Sequence, residues 1–98
     1  MPTEENILKR TQERLEGVLA IKFHPIKSSN ILLHGYNPET RILYLVFKNK
    51  YDKEPDWVYQ YKVNQIVYNN FLKAESAGTF FSEVIKPYAI CKSPIWPK

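Results

Sequence analysis

Residues 41–48, RILYLVFK, leave this chain few ways to fold. On the two-residue period of a strand, Leu43, Leu45 and Phe47 point one way and Ile42, Tyr44 and Val46 the other. A sheet with one wet face would carry polar residues on one of those sides. Both faces of this strand therefore need cover. The leading cover for the second face is an amphipathic helix at the N-terminus, through Ile7, Leu8 and Leu15 with Thr11 beside them. The alternative is a homodimer that buries the face between two copies. If helices cover both faces, no sheet surface remains for stacking bases, and binding moves to loops and tail.

The flanking segments supply the partners of this strand. Residues 30–36 precede it across Asn37-Pro38-Glu39-Thr40, where Pro38 fixes its own φ and Asn37 bonds the following backbone, which predicts a hairpin. A third run, 57–63, follows a long polar connection from Asn49 to Asp56. From Gln65 the period becomes helical, with Ile66, Val67, Phe71 and Leu72 recurring until Ser76-Ala77-Gly78 interrupts. Phe80, Phe81, Val84 and Ile85 then fit a shorter helix ended by Pro87. The expected class is α+β: a three-stranded antiparallel meander (30–36, 41–48, 57–63) on two C-terminal helices (65–75, 79–86), with an added N-terminal helix (4–16). Thr3 caps that helix, and Gly17 stops it. Residues 18–23 read as a short extended run or a helix continuing to 22. The organisation is an extension over 1–25, a domain over 26–92 and a proline-rich tail over 93–98, in which Trp96 lies between Pro94 and Pro97.

Several function classes find no support. No run reaches the roughly 18–20 apolar residues of a membrane span, and the N-terminus carries acids where a secretory signal carries positive charge. Cys91 is the lone cysteine, which excludes an intramolecular disulfide and a thiolate zinc site and fits a cytoplasmic location. His24 and His34 stand ten apart on different elements without an acid or thiolate at ligand spacing, so neither a metal nor a cofactor is expected. The sequence holds no Gly-rich phosphate loop, nucleophile elbow or paired-histidine motif. Ser28 and Ser29 satisfy backbone groups at a strand start, and Cys91 beside Lys92 lacks a base. A non-enzymatic module is the expectation.

Ser28-Ser29-Asn30-Ile31, Gly35 to Thr40, Leu43, Leu45 and Phe47, Tyr59-Gln60-Tyr61, and Val67-Tyr68 followed by Leu72, Ala74, Ser76, Gly78 and Phe81 recur in an order and spacing that resemble the KTSC domain. That family is named after a segment at the C-terminus of some lysyl-tRNA synthetases. The likeness spans about residues 26–92. It implies RNA binding by context, and it brings no catalytic residues to carry over. The chain departs from the family in its long 49–56 connection, in Asn64 where a proline often opens the helix, in His34 where an aliphatic residue is usual, and in its first 25 residues.

Charge points the same way. The formal net charge is +4; the first 25 residues cancel, and residues 26–98 hold ten bases against six acids. Such a field favours polyanions. Trp57, Tyr59 and Tyr61 share one side of their strand, where exposed rings would stack bases and nearby cations hold phosphates. The expected nucleic-acid set is Arg41, Lys48, Lys50, Tyr59, Tyr61 and Lys62, for RNA or another single strand. The competing reading makes these rings core. The competing function is a protein-interaction module, an accessory or inhibitory protein docking on a larger partner. Trp96 would be its anchor unless it folds back on the domain. A monomer and a homodimer both fit, and no membrane partner is expected.

Overall fold

The computed structural model describes residues 4–49 and 53–96. Thr3, Lys50, Pro97 and Lys98 lie outside the described residues. The elements run α1 (Glu4–Leu19), β1 (His24–Pro25), β2 (Ile31–Asn37), β3 (Ile42–Phe47), β4 (Trp57–Lys62), α2 (Gln65–Lys73), α3 (Ala77–Phe80) and β5 (Ala89–Pro94). Between α3 and β5 the chain makes a π-helical turn over Phe81–Ile85 and a 3-10 turn over Lys86–Tyr88.

The expected meander is present, but it is the centre of a larger sheet. Five antiparallel strands stand in the order β1-β2-β3-β4-β5. β1 pairs His24 with His34 and Pro25 with Leu33, and β5 lies along β4 from Trp57 opposite Pro94 to Tyr61 opposite Ala89. β1 has two residues, too few to show a period, and β5 reads AICKSP, an exposed edge without alternation. The chain after Tyr88, to which no strand was assigned, is thus a strand as far as Pro94, within the expected proline-rich tail. The second C-terminal helix also differs from the expected 79–86. It starts at Ala77, where the Ser76 hydroxyl accepts from the Thr79 amide, and it changes hydrogen-bond period at Phe81.

β3 sorts its side chains as its sequence requires. Leu43 and Leu45 join Ile31, Tyr61, Val63, Phe71 and Ile85 in a core beneath α2 and α3, with Phe47 packed against it. Val46 joins Leu15 of α1, Phe23, Leu32, Leu33, Val58 and Ile95 in a second core, with Tyr44 at its margin. The N-terminal helix therefore covers the second face within one chain. Gly17 does not end it. The helix runs to Leu19, and Ala20 takes the left-handed turn at φ 57°. Glu16 accepts from the Phe23 amide at 2.9 Å and Gln12 donates to the Phe23 carbonyl at 2.6 Å, so side chains of α1 hold the segment that follows it. Phe23 is seated on Gly35. A β-carbon there would lie 2.9 Å from the Lys22 carbonyl oxygen and 3.1 Å from the Phe23 ring, so only glycine admits this approach.

The C-terminal residues close the same layer. Ile95 is buried and its amide donates to the Asp56 carbonyl, while Arg14 donates to the Ile95 carbonyl at 3.0 Å. The Trp96 indole donates to the Pro55 carbonyl at 3.0 Å, and Arg10, ion-paired with Glu54, lies over its ring. Trp96 takes the folded-back alternative. Opposite, Asn64 caps α2 by accepting from the Val67 amide at 2.9 Å, the role that explains its place at the helix start. Asn64→Ala is expected to cost about 1 kcal/mol, read as a lower urea midpoint with an unchanged slope.

Candidate functional site

At the end of the sheet where β2 begins and β3 exits, three segments distant in sequence meet. The loop before β2 is held by the Ser28 hydroxyl, which accepts from the amides of Asn30 and Ile31. The Lys48 amide donates to the Asn30 carbonyl at 2.7 Å and ties the exit of β3 to that loop. The third segment is the start of α3. Between them lies an open groove of 750 Å³, lined by Lys27, Ser28, Asn30, Glu75, Thr79 and Glu83 among others. It runs on past Ser29, Asn30, Gly78 and Ser82 into a hollow of 540 Å³ reached by Phe47, Lys48, Asn49 and Phe81. A smaller hollow of 150 Å³ continues from Phe47 and Lys48 to Trp57 and Tyr59.

The apolar edge of this groove is built from rings packed edge-to-face. Phe47 meets Tyr59 at 5.4 Å and Phe81 at 5.2 Å, and Phe81 meets Tyr61 at 5.3 Å. Each ring is thereby locked by its neighbours, and the groove wall is preformed. Lys92, across from β4 on β5, holds its ammonium 4.4 Å from the centre of the Trp57 ring.

The expected nucleic-acid set divides in space. Lys48 is exposed and lines two of the hollows, and Tyr59 is half-buried at the rim of the smallest. Tyr61 is 4% exposed, and burial, with a smaller push from Tyr59, raises its phenol to about 12. It belongs to the core. Arg41 and Lys62 are exposed at the opposite end, where Ile42 pairs with Lys62 and the Val63 amide donates to the Arg41 carbonyl. The six residues of β3 separate them from Lys48 by about 20 Å. The face carrying Tyr59 and Tyr61 lies under α2 and α3, so the open stacking platform is closed. Lys27, Asn30, Phe81 and Lys92 were not anticipated. The Ser28-Ser29-Asn30 block was the available signal, because residues that brace a loop from within also present their remaining polar atoms at its surface.

A second cluster lies at the β1 edge. His34 is 5% exposed, and its Nδ1 lies 2.9 Å from the Tyr68 hydroxyl. Burial, helped by the neighbouring His24, lowers the His34 imidazole to about 4. Tyr68 stacks on Tyr36, whose hydroxyl donates to the Val63 carbonyl at 2.8 Å. Burial raises the phenols of both tyrosines. Among the described residues no group of three or more His, Cys, Asp or Glu side chains is placed to hold a metal ion. No helix among them is long and apolar enough to cross a membrane.

A family model describing the KTSC domain matches residues 27–88. The chain belongs to the KTSC domain family. The crystal structure of a KTSC domain protein from Yersinia pestis is similar to it, at 34% identity and a TM-score of 0.63, covering 78% of this chain and 99% of that one. No curated protein matches the chain. The KTSC match takes in β2 to β4, α2 and α3, and hence all three walls of the groove. α1, β1 and β5 lie outside it, together with Ile95 and Trp96. In this KTSC protein the added segments complete the second hydrophobic layer and widen the sheet at both edges.

Proposed function

We propose that this KTSC domain is a non-catalytic binding module of the cytoplasm that takes single-stranded nucleic acid, RNA foremost, along the groove between the β2 loop, the β3 exit and α3. The observation that carries this reading is the composition of one continuous groove. It sets Lys27 and Lys48 along a track of Ser and Asn side chains, with Glu75 and Glu83 in the lining at the Lys27 end and Phe47, Phe81 and Tyr59 at the other. Lysines neutralise phosphates, hydroxyl and amide groups position the sugar-phosphate chain, and ring surfaces contact bases whatever their sequence. Two phosphates held by two lysines give a slope of log K on log salt of about −1.4, a roughly sevenfold loss between about 50 and 200 mM.

Fluorescence anisotropy with a short single-stranded RNA over a salt series tests this. Lys27→Ala with Lys48→Ala is expected to flatten the slope by about 1.4, while Arg41→Ala with Lys62→Ala leaves it unchanged. No binding at low salt, or losses confined to the Arg41 and Lys62 variants, would overturn the assignment. The accessory-protein reading draws on β5 rather than Trp96. β5 is the last strand in the sheet order, and its edge carries Ile90 at 51% exposure. Affinity capture repeated after nuclease treatment separates the two, since recovery of one stoichiometric protein after digestion favours the second.

A further inference from the structure

His24 and His34 are directly opposed across the β1–β2 ladder, so their side chains leave the same face. Their ring centroids lie 5.6 Å apart, with an interplanar angle of 41°. Two imidazoles bound to one tetrahedral ion at about 2.0–2.1 Å per nitrogen have centroids about 5 Å apart. The observed separation is close to that value, and His24 stands exposed on a two-residue edge strand.

The His34 ring is already fixed. Tyr68 contacts Nδ1, Tyr36 stacks on Tyr68 at 4.6 Å, and Phe71 meets the imidazole edge-on at 6.2 Å. In the tautomer whose Nδ1–H donates to the Tyr68 oxygen, the Nε2 lone pair is available. No hydrogen bond engages Nε2 among the described residues, and none of their side-chain nitrogens is both sealed from solvent and unpaired, so Nε2 keeps access to water. Histidines that ligate metals are oriented in this way, with the second ring nitrogen bonded to an outer partner.

We propose that His24 and His34 form a two-imidazole site for a borderline divalent transition metal of the Zn2+, Ni2+ or Cu2+ class, with water in the remaining positions. Imidazole suits these ions. No carboxylate or thiolate adds a third protein ligand among the described residues, so the site is open and its ion exchangeable. A bound ion staples β1 to β2.

The test uses the full chain with Cys91→Ser, which removes its one thiol. Calorimetric titration with Ni2+ and Cu2+ is expected to show one ion per chain, and the Cu2+ paramagnetic resonance spectrum to show coupling to two nitrogens. His24→Gln, at an exposed position that leaves the fold intact, is expected to lower affinity at least tenfold and to leave one nitrogen. Tyr68→Phe removes the outer partner and lowers affinity by about tenfold. At one metal concentration the melting temperature of the parent rises more than that of His24→Gln. Absence of saturable binding up to millimolar ion, or unchanged binding and nitrogen count in His24→Gln, overturns the proposal.

Discussion

Phe23→Ala is expected to destabilise the domain by about 3–5 kcal/mol, among the largest losses a single truncation here can cause. Phe23 is fully buried between α1 and the sheet. Its ring sits against Gly35 and faces Tyr44 at 6.1 Å, and its backbone is bonded at both polar atoms by Glu16 and Gln12. Those backbone bonds survive the truncation and hold the segment in place, so the cavity cannot collapse fully and the upper part of the range applies. Urea denaturation is expected to show a lower midpoint with an unchanged slope. Single-stranded RNA affinity, measured well below melting, is expected to stay at the parental value, because the groove is lined from the other core. A loss below about 1 kcal/mol would show that the α1 layer does not unfold with the rest.

Acid is expected to remove about 3 kcal/mol through His34 alone. In the unfolded chain this imidazole titrates at 6.5, and in the fold burial and His24 lower it to about 4. Between those values the unfolded state binds the extra proton. The contribution is therefore complete above about pH 6.5, declines as pH falls and is gone below about pH 4. Carboxylates titrate near the lower limit, so the contribution is isolated by comparison with His34→Gln. Denaturation free energies at about pH 7.5, 5.5 and 4.5 are expected to fall in the parent by up to about 1.4 kcal/mol per pH unit and to be nearly level in the variant. Parallel curves for the two proteins would remove His34 from the account.

The central architecture was legible because it rested on a strong constraint. β3 carries large apolar groups on both sides, and only a layer on each face satisfies it. Ile7, Leu8 and Leu15 of α1 were the available material for one of them. β1 and β5 were not legible, for a two-residue bridge ending in proline has no period and β5 has no buried side. The extent of α1 was misjudged at Gly17. Glycine permits a helix stop but does not impose one, and Glu16 and Gln12 bind the chain beyond it.

The site was less legible than the fold. Arg41, Lys48 and Lys62 stand near one another along a meander, yet strand length carries them to opposite ends of the sheet. The groove takes its walls from residues 27–30, 47–49 and 75–83, so no local pattern encodes it. His24 and His34 meet because β1 doubles back on β2, and their spacing of ten conveys that only once the intervening loop is known to reverse the chain.

Arg10 against Trp96 and Arg14 against Ile95 fasten the last described residues along the middle of α1. This juncture makes the unit indivisible. Trimming the first helix would unseat the final tryptophan, whose indole is tied to Pro55 at the rim of the smallest hollow.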